Sequence, residues 1–311
     1  MSGKTTTYPF HQVDVFTDTP YYGNPVAVVN CLNPSLHTPT QEQMQRFATW
    51  TNLSETTFLL PPSDSKADYR LKIFTPFEGL PFAGHPTLGS FHSFLRHLGS
   101  AKSSALLSER DGKLVQECGI GLVSLQVSQD ANTVRFAEPD FIRHEKVDQT
   151  TTNRVIKALC LDPNHVIDAW HIHNGPRWIG IKLKSAADVL KININAPSCN
   201  IASIRDLFLG FIGPYEGGKN SEGESVANEI RAFVFEDIGE DPVTGSLNAG
   251  FAKWLESTGE SPADEYVNSQ GTAIGRKGRI SVTIDRSKDA KKPEIWIGGS
   301  CVVCVDGVVH I

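Results

Sequence analysis

Short segments in which apolar and polar residues alternate, or in which β-branched residues dominate, recur along most of the chain. A period of two predicts β-strands, because successive side chains of a strand point to opposite faces. Turn residues separate these segments. The predicted strands are Phe10–Phe16, Pro25–Asn30, Thr56–Leu60, Tyr69–Phe74, Ile179–Leu183, Ala232–Phe235, Ile280–Ile284 and Glu294–Ile297.

Four other segments have the period of an amphipathic helix. The first opens with Thr40 and Gln43 at the spacing of a capping box, and the second carries Pro86 in its first turn, where a missing N–H costs little. Glycines end the second and third helices, and the fourth is the weakest. The predicted helices are Thr40–Thr51, His85–Gly99, Ser246–Gly259 and Thr152–Leu161.

The segments that contain the second and third helices align without a gap at an offset of 161 residues. Each runs from an apolar strand through a short loop into a helix, which indicates two similar lobes. We predict an N-terminal lobe of residues 1–130 and a C-terminal lobe of residues 131–311, with the last strand free to return to the N-terminal lobe. The identical pairs are Phe74 and Phe235, Pro81 and Pro242, Gly84 and Gly245, and Gly89 and Gly250.

Composition narrows the classes of protein. The 311 residues carry a net charge of −6 without a basic run, so no electrostatic footprint for nucleic acid or an anionic membrane is evident. No segment approaches the roughly 18 apolar residues of a membrane helix, and none resembles a signal peptide, so we expect a cytoplasmic protein. Six irregularly spaced cysteines predict reduced thiols, and Cys301 and Cys304 would point to opposite faces of one strand.

The starts of the two related helices, Gly84-His85 and Gly245-Ser246, are candidate anion sites. A helix N-terminus offers unpaired N–H groups and the positive end of the helix dipole, and it binds carboxylates without a basic side chain. If two lobes face one another, the two starts form a carboxylate-binding cleft. The alternative is that both are ordinary helix starts with glycine for close packing.

Several blocks resemble the PhzF-like family, which shares the diaminopimelate epimerase fold. The resemblance implies an α+β protein of two lobes, each a β-barrel-like sheet around a central helix, with an active site in the cleft between them. It further implies a small carboxylic-acid substrate, no metal or organic cofactor, and a homodimer. The blocks are Val13–Phe16, Gly23–Val29, Asn52–Phe58, Phe74–Pro76, Leu80–Gly89 and Glu240–Ser246, with weaker agreement at Gln270-Gly271 and Gly298-Gly299.

Carried over by position, the catalytic glutamate of the family falls on Glu55, its histidine on His85, its aspartate on Asp241 and its serine on Ser246. Partial burial at a strand entrance would raise the pKa of Glu55 toward working pH, as general acid–base catalysis requires. Asp241 is also a common turn or cap residue, and Ser246 either binds substrate or caps its helix.

The substrate-binding candidates are Gly84, Gly245 and, secondarily, Asn24, which is also a plain turn former before proline. The chain departs from the family pattern at Gly79, where an acid is frequent; here the acid is Glu78.

His171 and His173 would share a strand face, but no third metal ligand is signalled near them, so no metal site is predicted.

Three functions remain open. The first is an isomerase in which Glu55 moves a proton on a small unsaturated or hydroxylated acid, as in trans-2,3-dihydro-3-hydroxyanthranilate isomerase. The second is a two-base racemase or epimerase, disfavoured because His85 and Ser246 stand where paired thiols are needed. The third is a catalytically silent binding protein for small acids.

Overall fold

The structure, a computed structural model, describes residues 5–127, 133–138, 140–235 and 239–311. The chain forms two compact units, Met1–Ala137 with Gly298–Ile311, and Glu138–Ile297. The predicted boundary between residues 130 and 131 lies outside the described residues. Both units combine strands with helices, which confirms the predicted α+β class.

The first unit contains a closed barrel of eight strands. The pairing runs β17–β1–β2–β3–β4–β6–β7–β8, and β8 pairs with β17 to close the ring. Two pairs, β2–β3 and β4–β6, are parallel. The elements are β1 Thr7–Val15, β2 Asn24–Asn30, α1 Gln41–Thr51, β3 Glu55–Leu60, β4 Tyr69–Phe74, β5 Gly79–Leu80, α2 Gly84–Leu98, α3 Ser100–Glu109, β6 Lys113–Cys118, β7 Gly121–Val127, β8 Thr133–Ala137 and, after the second unit, β17 Glu294–His310.

Helix α2 is the core of this barrel. Its residues from Gly84 to Phe91 are all buried, as expected for a helix surrounded by strands. Gly89 explains the close approach, because a Cβ there would lie 2.4 Å from the side chain of Val26 and 2.9 Å from that of Val15. The start of α2 is thereby held beside the first residues of β2 and β3.

The second unit wraps strands around α6 in the same manner. Its pairing runs β9–β10–β11–β12–β13–β15–β16, and β14 adds to β13. Helix α6 is buried from Leu247 to Ala252 and packs on Ile172 and Trp178. The elements are β9 Arg143–Lys146, α4 Gln149–Ala158, β10 Val166–His173, β11 Trp178–Leu183, α5 Ala186–Leu190, β12 Phe208–Pro214, β13 Asn228–Val234, β14 Gly239–Asp241, α6 Gly245–Ser257, β15 Glu265–Gln270 and β16 Gly278–Asp285.

The two segments related by 161 residues have the same local structure. In each, a strand is followed by a short antiparallel strand and then by the central helix: β4–β5–α2 and β13–β14–α6. The helices begin at Gly84 and Gly245, which differ by the same offset. The order of strand, short loop and helix predicted from the sequence is therefore present in both units.

All eight predicted strands and all four predicted helices are found, and most of them have shifted ends. The capping box of Thr40 and Gln43 is formed. The fourth helix is Gln149–Ala158 rather than Thr152–Leu161, because the Asp148 side chain accepts a hydrogen bond from the amide of Thr151 and starts the helix earlier. The sequence analysis missed α3, none of whose residues is buried, since a helix without an apolar stripe has no periodic signal. It also missed the five-residue helix α5 and nine strands, β5–β10, β12, β14 and β15.

Candidate active site

In the first unit, three predicted site residues meet at one end of the barrel. Asn24 is the first residue of β2, Glu55 the first of β3 and His85 the second of α2. The parallel pairing of β2 with β3 places Val26 opposite Glu55, so both strands start at the same barrel rim. The buried start of α2 brings His85 to that rim.

The three side chains form a chain of polar contacts. His85 Nε2 lies 3.3 Å from Glu55 Oε2, and His85 Nδ1 lies 3.5 Å from Asn24 Nδ2. The side-chain oxygen Oδ1 of Asn24 accepts a hydrogen bond from Ser54 Oγ at 3.5 Å. A neutral imidazole that accepts at Nδ1 from Asn24 Nδ2 carries its proton on Nε2, the ring nitrogen that faces Glu55.

Glu55 has the electrostatics of a group that works near neutrality. Its side chain is 16% exposed. Burial raises the pKa of Glu55 to about 7, while a hydrogen bond from Ser54 acts in the opposite direction. Both protonation states are therefore populated near pH 7, which suits a carboxyl group that takes up and returns a proton.

In the second unit, Asp241 and Ser246 flank the start of α6. Asp241 ends β14, and its Oδ2 accepts a hydrogen bond from Thr244 Oγ1 at 2.6 Å. Ser246 Oγ accepts a hydrogen bond from the indole Nε1 of Trp178 at 3.1 Å. The hydroxyl of Thr244 is thus bound to Asp241, and no side chain among the described residues caps α6.

The N-terminus of α2 also lacks a side-chain cap among the described residues. Its flanking residue is Ala83, which has no polar side chain to bind the first amides. Gly84 and Gly245, the first residues of the two helices, are both buried. At both helix starts, no side chain of the described residues caps the first backbone N–H groups.

Gln270 holds the loop before α6, and this role was missed when the chain was read as sequence. Its side-chain oxygen accepts from the amide of Thr244 at 3.1 Å and from Asn248 Nδ2 at 2.9 Å. Its amide nitrogen donates to the Asp241 carbonyl at 3.2 Å and to Thr244 Oγ1 at 3.1 Å. The only sequence signal was the Gln270-Gly271 block of weak family agreement.

A second missed group is the buried carboxyl of Glu138. Asn174 Nδ2 donates both to Glu138 Oε1 and to the Ser246 carbonyl, each at 2.6 Å. Burial raises the pKa of Glu138 to about 8, against the effect of the Asn174 hydrogen bond. Nothing in the local sequence distinguishes this glutamate from an exposed one before a proline.

Other predicted features lie away from these residues. Glu78 is exposed in the turn between β4 and β5, where its amide binds Thr75 Oγ1. The rings of His171 and His173 are 5.2 Å apart, and the described residues contain no group of three metal-ligating side chains. All six cysteines are free, and none is at the start of α2 or α6.

No helix in the described part of the chain is long and apolar enough to cross a membrane.

Comparison with known proteins identifies the family and the fold of the chain. A family model described as phenazine biosynthesis-like protein matches residues 13–307. The chain is 34% identical over 310 residues to antisense-enhancing sequence 1 of Schizosaccharomyces pombe, covering 97% of this chain and 98% of that protein. It is 32% identical over 267 residues to trans-2,3-dihydro-3-hydroxyanthranilate isomerase of Pseudomonas chlororaphis, covering 85% and 86%.

A crystal structure of a PhzF-family phenazine biosynthesis protein from Enterococcus faecalis has the same fold, with a TM-score of 0.75 at 20% identity over 98% of this chain and 100% of that chain. The fold, the family model and the related isomerases agree. The chain therefore belongs to the phenazine biosynthesis-like (PhzF) family and is an isomerase.

Proposed function

We propose that this isomerase moves a proton between two carbons of a small cyclic or unsaturated carboxylic acid, with Glu55 as its general acid and base. The observation that carries the proposal is the contact of the Glu55 carboxyl with His85 at a buried barrel rim, where burial brings the pKa of Glu55 to about 7. The related Pseudomonas chlororaphis protein, named for a cyclic hydroxy acid, supports the substrate class.

Glu55 in its ionised form takes a proton from one carbon and, once protonated, returns it to another. His85 Nε2 faces the Glu55 carboxyl at 3.3 Å, where it can stabilise the ionised form during the transfer, and Asn24 contacts the other ring nitrogen. One carboxyl group suffices for both transfers. Because the pKa of Glu55 lies near working pH, its carboxyl can both take up and release a proton.

The remaining residues are assigned to substrate binding. Ser246 and the amide of Gly245 bind the carboxylate of the substrate, Asp241 binds a polar substituent, and Gly84 contacts substrate beside Glu55. Backbone donors at a helix start favour an anion by hydrogen bonding and by the helix dipole. The homodimer implied by the resemblance and the cytoplasmic location expected from the sequence remain predictions, and light scattering tests the homodimer.

The test follows deuterium uptake from D₂O into trans-2,3-dihydro-3-hydroxyanthranilate and related small acids. Glu55→Gln is expected to retain binding and to lower turnover by about 10²-fold or more. Glu42→Gln is the matched control, since the Glu42 side chain is 81% exposed on α1. Equal turnover by Glu55→Gln and wild type would refute the role of Glu55, and binding without any exchange in the wild type would identify a silent binding protein.

A further inference from the structure

Ser246 is unusual among the first residues of α6 in being open to solvent. Its neighbours from Leu247 to Ala252 are buried, as is Gly245, whereas Ser246 is only half-buried. Trp178, the first residue of β11, is 2% exposed and directs its indole Nε1 at Ser246 Oγ from a distance of 3.1 Å. A buried donor therefore meets a hydroxyl that is partly accessible to solvent.

This contact determines what the hydroxyl is able to do. An indole N–H only donates, so Ser246 Oγ is the acceptor in this hydrogen bond. Within the described part of the chain, Trp178 is the only hydrogen-bond partner of that hydroxyl. The single hydroxyl hydrogen is left to donate, and the group that receives it must be an acceptor.

The main chain of the same serine is also held. Asn174 Nδ2 donates to the Ser246 carbonyl at 2.6 Å, and Asn174 itself is anchored by Glu138 Oε1 at the same distance. Asn174 thus holds the backbone carbonyl of Ser246, and Trp178 holds its side-chain oxygen Oγ. Such a pre-oriented donor loses little conformational entropy when it binds a ligand.

We propose that Trp178 is a positioning and specificity-determining residue that fixes Ser246 as a hydrogen-bond donor and thereby selects an anionic carboxylate oxygen. The inference rests on the proposed function, in which Ser246 binds the carboxylate of the substrate. Trp178 occupies one of the two acceptor lone pairs of Ser246 Oγ and so favours donation by the hydroxyl hydrogen; a carboxylate presents only acceptors to that donor, whereas an amide presents one acceptor oxygen together with N–H donors.

The test measures dissociation constants by calorimetry for trans-2,3-dihydro-3-hydroxyanthranilate and for its carboxamide, in a Glu55→Gln background that prevents turnover. Trp178→Phe is expected to weaken acid binding about 2- to 10-fold, the effect of one neutral hydrogen bond, and to narrow the preference for acid over amide. Ser246→Ala is expected to weaken it about 10- to 100-fold. In the Ser246→Ala protein, Trp178→Phe adds nothing, because the group it positions is gone.

Trp170→Phe is the matched control. Its indole donates to Asp168 at 2.9 Å, so the substitution removes the same N–H without touching Ser246, and acid binding is expected to stay as in the parent. Thermal unfolding of each variant reports whether the fold is intact. Either of two results would overturn the role of Trp178. The first is unchanged acid binding in Trp178→Phe, and the second is that Trp178→Phe weakens acid binding as much in the Ser246→Ala protein as in the parent.

A ligand-free measurement separates this inference from the proposed function. The indole ¹⁵N–¹H resonance that disappears in Trp178→Phe is that of Trp178, and Ser246→Ala is expected to shift it. An unshifted resonance contradicts the hydrogen bond and the inference. Unchanged acid binding in Ser246→Ala, or no binding by the parent, would instead count against the proposed function, leaving the resonance to decide the role of Trp178.

Discussion

Replacing Glu55 by glutamine is expected to make the protein more stable at alkaline pH, by an amount that the burial of this side chain determines. The fold raises the pKa of Glu55 from its ordinary value of 4.5 to about 7. A tenfold change in proton affinity corresponds to about 1.4 kcal/mol, so full ionisation of Glu55 costs the folded state about 3 kcal/mol relative to the unfolded chain. Glutamine is nearly isosteric and does not ionise.

The sign follows from which state holds the proton. Between pH 4.5 and about 7 the folded protein keeps a proton on Glu55 that the unfolded chain has lost, so the contribution of Glu55 to wild-type stability falls as the pH rises through this window. Above pH 7 both states are ionised and the full cost remains. The difference in unfolding free energy between Glu55→Gln and wild type therefore grows from about zero below pH 4.5 to about 3 kcal/mol at pH 8.

Urea unfolding of both proteins at half-unit steps from pH 4.5 to 9 measures this difference. Glu138, whose pKa burial raises to about 8, ionises in both proteins and cancels in the comparison. The exposed Glu42→Gln variant should run parallel to wild type throughout. If Glu55→Gln also runs parallel to wild type, Glu55 is not a desolvated carboxyl, and the argument for its catalytic pKa fails with it.

Two further outcomes are expected. Gln270→Leu removes the hydrogen-bond partner of four polar groups and should lower the unfolding free energy by about 2–5 kcal/mol in urea titrations. The control is Gln149→Leu, an exposed position, which should change the unfolding free energy by less than about 0.5 kcal/mol. Equal effects of the two substitutions would contradict the role of Gln270 in holding the loop. His97 stacks on His11 at 4.1 Å, and burial lowers the pKa of His97 to about 4, so the contribution of His97 to stability should fall as the pH drops from 6.5 toward 4. His97→Phe should therefore gain stability relative to wild type over this range in thermal unfolding, and a difference between the two proteins that does not change with pH would refute this.

About half of the described strands and most of the described helices were predictable from the chain. The strand Tyr69–Phe74 has its predicted ends, and the capping box of Thr40 and Gln43 starts α1 as expected. These features depend on neighbours within a few residues, whose spacing is visible in the sequence. The ends of α4 were misplaced, because Asp148 competes for the role of helix start and one hydrogen bond decides the outcome.

The candidate site was predictable only in part. The family blocks led to Glu55, His85, Asp241 and Ser246, but the supporting residues carry no motif of their own. In the sequence, Trp178 only precedes the predicted strand Ile179–Leu183. The fold brings its indole into contact with Ser246, a serine 68 positions away.

The sequence by itself determined eight of the described strands and four of the described helices, the repeat at 161 residues and the family. Only the tertiary structure decided which polar groups contact one another and how deeply each is buried. Glu55 owes its pKa to the packing of β2, β3 and α2 around it, and desolvation depends on every atom that excludes water, wherever it lies in the chain. For that reason the identity of the glutamate could be read from a motif, whereas its proton affinity could not.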